Sequence, residues 1–144
     1  MDRTYPNRPW LGVGVVVWKG DHVLLIQRGK EPRKGEWSIP GGSHELGENI
    51  REAATREVLE ETGVQIELGP IVDVIDAIRH DGEGRVAAHY TLVDFVATWA
   101  EGEPVAGDDA MAAEWVPVDE ALTRLNWSET ARVIRQSREL LAVD

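Results

Sequence analysis

The sequence predicts a mixed α/β (α+β) fold, in which one helix separates two groups of strands and further helices follow at the end. Three observations lead to this prediction. Two short β-branched segments come first, one segment with a helical repeat of apolar residues follows, and strand-like segments fill much of the second half. Because strands and helices do not alternate regularly, this order favours a mixed α/β sandwich over a series of βαβ units.

The first two strands are predicted to form a hairpin. Residues 12–18 and 22–28 are rich in β-branched and aliphatic side chains, and the Lys-Gly-Asp sequence at 19–21 is typical of a turn. Residues 29–42 are rich in glycine, proline and charge. This composition predicts a loop between the hairpin and the first helix.

The first helix carries recognisable signals at both ends. Asn49 is a favourable N-cap, and Glu52 stands three residues later, as in a capping box. Gly63 is typical of the residue that follows a helix in the left-handed conformation. The predicted apolar stripe consists of Ile50, Ala53, Ala54, Val58 and Leu59.

The rest of the chain is predicted to return to strands and then to end in helices. The predicted elements are strands over residues 65–78, 87–100 and 112–118 and helices over residues 119–125 and 128–141. An Asp-Gly-Glu-Gly sequence at 81–84 predicts the turn between the first two of these strands. Ser128 is the expected N-cap of the last helix.

Chain length, cysteine content and net charge limit the functions that this protein can have. The chain has 144 residues, which predicts a single domain over 1–144. It has no cysteine, so that disulfides and zinc–thiolate sites are excluded. A net charge of −11 argues against non-specific binding to nucleic-acid polymers or anionic membranes, but it permits a small nucleotide when metal ions neutralise the site. No leader-like or membrane-spanning apolar run is visible, so a cytoplasmic location is expected.

Three glutamates near the end of the first helix need a compensating positive charge. Glu57, Glu60 and Glu61 fall at i, i+3 and i+4 and therefore share one helical face. Like charges at such spacing cost about 0.2–0.5 kcal/mol per pair, and an anion near a helix C-terminus costs about 0.3–1 kcal/mol. Clustered carboxylates are hard oxygen ligands, so a Mg²⁺ or Mn²⁺ site is the functional interpretation and a solvated acidic face the alternative.

Residues 42–64 resemble the Nudix box, whose pattern is Gly-x5-Glu-x7-Arg-Glu-U-x-Glu-Glu-x-Gly-U with U apolar. The fixed positions are filled by Gly42, Glu48, Arg56, Glu57, Glu60, Glu61 and Gly63. Val58 and Val64 fill the two apolar positions, and the preceding Gly-Glu-Trp-Ser-Ile-Pro-Gly-Gly is similar to the usual lead-in of the family. The resemblance covers nearly the whole chain and implies a Nudix-type α/β/α sandwich with a mixed β-sheet.

The family resemblance implies hydrolysis of a nucleoside diphosphate linked to a group X, with Mg²⁺ or Mn²⁺ as cofactor. Glu57, Glu60 and Glu61 match the metal-binding glutamates of the family, and the Gly41 carbonyl matches a backbone metal ligand. Arg56 matches a structural arginine that orients neighbouring glutamates. The other positions with a structural role in the box are Gly42, Glu48 and Gly63. For Glu48, peripheral metal binding and pairing with Arg56 are both open.

The catalytic base differs among Nudix enzymes, so the resemblance leaves two groups of candidates. The first group is Glu57 and Glu60 within the box. The second group is the acids on a later loop, Glu101, Glu103, Asp108, Asp109 and Glu114. Glu114 precedes a tryptophan, as does a late glutamate that joins the metal site in some relatives. Surface charge is the alternative for every loop acid.

Two residues are expected to contact substrate. Arg28 ends a predicted strand where relatives often contact phosphate. Trp37 is assigned to the substrate site, although its position also resembles one used for core packing. The resemblance further implies a homodimer, because relatives often form dimers.

The resemblance extends to the bacterial ADP-ribose pyrophosphatase branch, whose products are AMP and ribose 5-phosphate. One departure weakens this assignment, because the proline that the branch often carries would fall near His80 and is absent here. The closest alternative is therefore a nucleoside triphosphate pyrophosphohydrolase with a role in sanitising the nucleotide pool. A non-catalytic Nudix-fold ligand sensor is the alternative from another class.

Overall fold

Seven strands and three helices make up the part of the chain that the computed structural model describes, which is residues 3–31, 33–107 and 109–142. The strands are β1 (Trp10–Lys19), β2 (His22–Arg28), β3 (Trp37–Ser38), β4 (Gly41–Ser43), β5 (Gln65–His80), β6 (Val86–Glu101) and β7 (Ala110–Pro117). The helices are α1 (Ile50–Thr62), α2 (Val118–Arg124) and α3 (Ser128–Ala142).

The strands form one mixed sheet with β1 near its centre. Its main path runs β3-β2-β1-β6-β5, and β4 and β7 add to it by pairing with β1 and β2. The β1–β6 pair is parallel, whereas the other pairs are antiparallel. The expected mixed sheet is therefore confirmed, as is the β1–β2 hairpin.

Helices cover both faces of this sheet, and alternate residues of β1 supply both cores. Val13, Val15 and Val17 pack with Val58 of α1 on one face. Val16 and Trp18 belong to a second cluster on the opposite face, which includes Ala121 of α2 and Val133 and Ile134 of α3. Burial on both faces explains the continuous apolar run of β1. The expected α/β/α sandwich is confirmed.

Residues 29–42, predicted as a loop, contain two short strand segments. β3 pairs with β2 through Ile26 and Gln27, and β4 begins at Gly41 and pairs with β1. The prediction was wrong there because glycine and proline mark a loop by local preference, whereas these strands are stabilised by pairing with distant segments. Within the described residues, none of the three helices combines the length and the apolar character needed to cross a membrane.

Candidate active site

The capping predictions for α1 are confirmed, and a later loop secures its C-terminal end. The Asn49 side chain accepts from the Glu52 N–H, and both halves of the capping box are formed. Gly63 adopts φ 73°, and its N–H donates to the Leu59 carbonyl. The next carbonyls receive N–H groups from the β6–β7 loop, because Val105 donates to Thr62 and Gly107 donates to Glu61. The last turn is therefore tied to the loop that carries candidate acids.

Arg56 is the centre of an ion-pair network over the acidic face of α1. Its guanidinium contacts Glu48 at 2.7 Å, Glu57 at 2.8 Å and Glu60 at 3.1 Å. It also donates to the Ser43 carbonyl at 3.0 Å, which links α1 to β4. The hydrogen bond from Arg56 lowers the pKa of Glu48 to about 2. Of the two roles left open for Glu48, the contacts therefore correspond to pairing with Arg56.

Glu57 is packed against the backbone of β4. Its side chain is 13% exposed, and this burial raises the pKa of its carboxyl group, although Arg56 opposes the shift. A Cβ atom on Gly42 would overlap the Glu57 carboxylate, so a larger residue would require this carboxylate to move away from its position beside Arg56. Gly42 therefore leaves room for the Glu57 side chain, and both residues occupy fixed positions of the Nudix-box pattern.

Replacing Gly42 by alanine is expected to displace Glu57 and to lower the free energy of unfolding by about 1–3 kcal/mol, as overpacking typically does. Urea denaturation measures this change. Gly82→Ala is the matched control, because a Cβ there meets no atom within 4 Å. Equal stability of the two variants would contradict the steric role of Gly42.

Glu61 approaches the same strand, and Glu60 is more open to solvent. The Gly41 N–H donates to the Glu61 carboxylate at 2.7 Å, while the Glu60 side chain is 45% exposed. The three carboxylates lie on one helical face, two of them against the glycine backbone of β4, and their hard oxygens fit a divalent cation in donor chemistry. Each has a protein partner here, and among the described residues no three acidic or histidine side chains are gathered closely enough to hold a metal ion.

The β6–β7 loop lies against the last turn of α1. A Cβ on Gly107 would overlap the Glu60 carbonyl, so the backbones are in close contact. Asp109 follows on this loop, and its carboxylate pairs with Lys30 at 2.8 Å. Glu103 belongs to the same loop, Glu101 is the last residue of β6, and Asp108 lies outside the described residues. The backbone contacts bring this loop to the acidic helix, as a later-loop base would need.

Glu114 and Trp37 are brought together by an arginine that sequence analysis did not single out. Arg124 of α2 contacts the Glu114 carboxylate at 2.5 Å, and its guanidinium carbon lies 4.6 Å from the centre of the Trp37 ring. Trp37 is half-buried and packs against the core cluster under α2 and α3. Glu114 lies on β7 and Arg124 lies ten residues later on α2, so neither helical nor strand periodicity relates the two residues. No local sequence pattern could therefore reveal this pair.

Arg28 stands where β2 meets the loops. Its N–H donates to the Glu36 carbonyl at 2.9 Å, and its carbonyl accepts from Gly35 at 2.8 Å. The next residue, Gly29, donates to the Asp109 carbonyl at 2.8 Å. Arg28 is therefore adjacent to the β6–β7 loop that contacts the acidic helix.

Asp94 is a buried acid on β6 that the sequence analysis also missed. It is 7% exposed and stands between Gly14 of β1 and Asp73 of β5 in the sheet. Burial raises the pKa of Asp94 to about 6, the nearby Asp73 adds to the rise, and Arg132 opposes it. Asp94 is flanked on both sides by apolar residues of a predicted strand, in the segment Leu-Val-Asp-Phe-Val. This position in an apolar strand could have indicated that the side chain is buried.

Asp94→Asn is expected to stabilise the protein at pH 8 by about 2–3 kcal/mol, the free-energy equivalent of raising a carboxyl pKa from about 3.9 to about 6. The raised folded-state pKa means that wild-type stability falls as pH rises from about 4 through about 6, so the advantage of the variant should vanish near pH 4. Urea denaturation between pH 4 and 8 measures it. Asp76→Asn, on the exposed side of β5, is the control, and an equal pH dependence in both variants would contradict the prediction.

A family model described as NUDIX domain matches residues 8–137 of the chain. The match includes the acidic helix, its glycine neighbours on β4 and the β6–β7 loop.

Relatives and solved structures agree with this match. The chain is 36% identical over 107 residues to the ADP-ribose pyrophosphatase of Methanocaldococcus jannaschii, covering 74% of this chain and 61% of that relative. It is 33% identical over 105 residues to the uncharacterised Nudix hydrolase YvcI of Bacillus subtilis, covering 73% and 64%. The chain thus spans less than two thirds of either curated relative. A MutT NUDIX hydrolase structure from Burkholderia pseudomallei superimposes with a TM-score of 0.75 at 27% identity, covering 90% of this chain and 98% of that one.

Proposed function

The chain belongs to the Nudix family, and we propose that it hydrolyses the pyrophosphate bond of a nucleoside diphosphate linked to a group X, with Mg²⁺ or Mn²⁺ as cofactor. The observation that carries this proposal is the acidic face of α1, which holds Glu57, Glu60 and Glu61 and whose Glu57 and Glu61 lie against the glycine backbone of β4. A pyrophosphate resists an anionic nucleophile, so positioning and charge neutralisation matter more than a covalent nucleophile.

In this proposal Glu57, Glu60, Glu61 and the Gly41 carbonyl hold the metal. When bound, the divalent cation supplies positive charge that neutralises and orients the pyrophosphate and makes an attacking water more acidic. Arg56 keeps Glu57 and Glu60 oriented through its two ion pairs. Accepting the proton of the water is assigned to an acid, with Glu57 and Glu60 ahead of Glu114, because these two lie on the acidic face of α1 and Glu114 lies on β7.

ADP-ribose is the proposed substrate, with AMP and ribose 5-phosphate as products. Support comes from the relative that is 36% identical and is named an ADP-ribose pyrophosphatase. Arg28 is proposed to bind a substrate phosphate, since its neighbour Gly29 contacts the loop beside the acidic helix. Trp37 is proposed to contact the substrate with the part of its ring that stays exposed.

The second candidate is a nucleoside triphosphate pyrophosphohydrolase. The observation in its favour is the fold match to a protein named MutT NUDIX hydrolase, at a TM-score of 0.75 and 27% identity. The absence of a proline near His80 also favours this candidate, because ADP-ribose pyrophosphatases often carry a proline at that position.

A substrate panel at saturating Mg²⁺ tests the proposal, with ADP-ribose, NADH, diadenosine polyphosphates, GDP-mannose, and normal and oxidised nucleoside triphosphates. We expect AMP from ADP-ribose with a kcat/KM well above the others. A preference for triphosphates with release of pyrophosphate would select the second candidate instead. Absence of turnover with both Mg²⁺ and Mn²⁺ would contradict both and favour a ligand sensor. The homodimer stays a prediction, which light scattering checks.

A further inference from the structure

A short N-terminal segment, residues 3–9, holds two arginines against one tryptophan. The guanidinium carbons of Arg3 and Arg8 lie 4.6 Å and 4.0 Å from the centre of the Trp10 ring. Such contacts restrict the arginine side chains. Arg3 donates to the Ser43 hydroxyl and Arg8 to the Pro9 carbonyl, and each guanidinium has further N–H groups for an anion. We call Arg3, Arg8 and Trp10 the arginine clamp.

The segment that carries the clamp is fixed to the β5–β6 hairpin. The Tyr5 N–H donates to the Ala87 carbonyl at 3.0 Å, and the Tyr5 hydroxyl donates to Asp81 at 2.9 Å. The Arg85 guanidinium carbon lies 4.8 Å from the centre of the Tyr5 ring. Because backbone and side-chain contacts both anchor Tyr5, the clamp is preorganised by contacts outside itself.

The clamp arginines lack an acidic partner in the part of the chain that the structure describes. Arg56 contacts several carboxylates and Arg132 contacts Asp73 and Glu129, whereas neither Arg3 nor Arg8 forms an ion pair among those residues. The protein has 26 acidic and 15 basic residues, so that carboxylate partners are abundant. Two guanidinium groups held at one tryptophan ring without a carboxylate partner form a local positive site on an acidic protein.

The clamp adjoins the acidic helix through Ser43. Arg3 donates to the Ser43 hydroxyl at 2.5 Å, and Arg56 donates to the Ser43 carbonyl at 3.0 Å. Arg56 forms ion pairs with glutamates, whereas the N–H groups of the clamp arginines contact no carboxylate among the described residues. A ligand group on the clamp would therefore lie next to Ser43, which belongs to the Nudix box.

We propose that the arginine clamp binds a phosphate monoester, as a second anion site beside the hydrolytic centre. Two planar guanidinium groups match the several oxygens of a phosphate dianion by bidentate hydrogen bonding. The assignment to the reaction rests on the proposed function, since ADP-ribose carries no phosphate monoester and both of its products carry one. A terminal phosphate of a longer nucleotide has the same chemistry.

The test follows the Trp10 indole N–H by NMR, in EDTA and without turnover. This N–H is buried and has no hydrogen-bond partner among the described residues, so its signal reports on the clamp. Trp10→Phe assigns the signal. Inorganic phosphate, ribose 5-phosphate and ADP-ribose are titrated separately. We expect saturable shifts with inorganic phosphate and with ribose 5-phosphate, and at least tenfold weaker binding of ADP-ribose.

Two variants separate binding from folding. Arg8→Gln should weaken phosphate binding at least tenfold while keeping the Arg3–Ser43 contact. Arg8→Lys should recover only part of the phosphate affinity, because lysine keeps the charge but lacks the planar guanidinium that binds phosphate through two N–H groups. Arg138→Gln is the matched control, since that arginine lies 5.1 Å from the Trp18 ring. Absence of a saturable shift, equal binding by Arg8→Gln, or binding of ADP-ribose equal to that of ribose 5-phosphate would overturn the proposal. Failure of hydrolysis would leave this result unchanged and would count against the proposed function alone.

Discussion

Replacing Glu60 and Glu61 together by glutamine is expected to lower kcat/KM for ADP-ribose about a thousandfold or more. The reason is that the proposed metal site would lose two negative oxygen ligands. A catalytic metal supplies several kcal/mol of transition-state stabilisation, and each 1.36 kcal/mol is about tenfold in rate. The fold should persist, since glutamine keeps an acceptor for the Gly41 N–H. Initial rates at saturating Mg²⁺ measure the effect.

The same double variant should be as stable as the wild type without metal, or slightly more stable. It removes like charges from the last turn of α1, where anions cost about 0.3–1 kcal/mol. A double replacement of Glu67 and Glu139 by glutamine is the control, because it removes the same charge elsewhere. Wild-type turnover by the Glu60 and Glu61 variant would show that the metal face is wrongly assigned.

Arg56→Leu is expected to lower the free energy of unfolding by about 2–4 kcal/mol. Removing one partner of a buried ion pair typically costs about 3–5 kcal/mol, and the 23% exposure of the Arg56 side chain reduces this through solvent screening. Glu48 and Glu57, which are 16% and 13% exposed, would lose their guanidinium partner. Chemical denaturation at pH 7 measures the loss.

The pH dependence gives this prediction a second measurement. Arg56 lowers the pKa of Glu48 to about 2 in the folded protein, against about 4.3 in an unfolded chain. The stabilisation is therefore present above about pH 4.3 and is lost as pH falls towards 2. Arg132→Leu is the control, because its ion pairs are more exposed and should contribute much less to stability. An equal loss in both variants would contradict the central role of Arg56.

Local sequence was sufficient wherever the determining contacts are close in the chain. The helix α1 was predictable at both ends because Asn49 and Glu52 are three residues apart and Gly63 acts on the preceding turn. The face shared by Glu57, Glu60 and Glu61 follows from helical periodicity alone. The two-sided burial of β1 also follows from its unbroken apolar run.

Contacts between distant segments account for what the sequence analysis missed. The strand β4 forms by pairing with β1 almost thirty residues earlier, so its glycines look like loop residues in isolation. Arg124 meets Glu114 and Trp37 only because α2 folds back beside β7 and β3. The arginine clamp depends on a segment preceding the first strand, for which periodicity makes no prediction.

Mn²⁺ binding, measured by electron paramagnetic resonance in the wild type and in the Glu60 and Glu61 double glutamine variant, tests the proposed metal site. If the divalent cation binds the acidic face of α1, the wild-type protein should bind Mn²⁺ and the variant should bind at least tenfold more weakly. Full binding by the Glu67 and Glu139 control would assign the difference to that face. Equal Mn²⁺ binding by the wild type and the Glu60 and Glu61 variant would show that the cation does not bind this face.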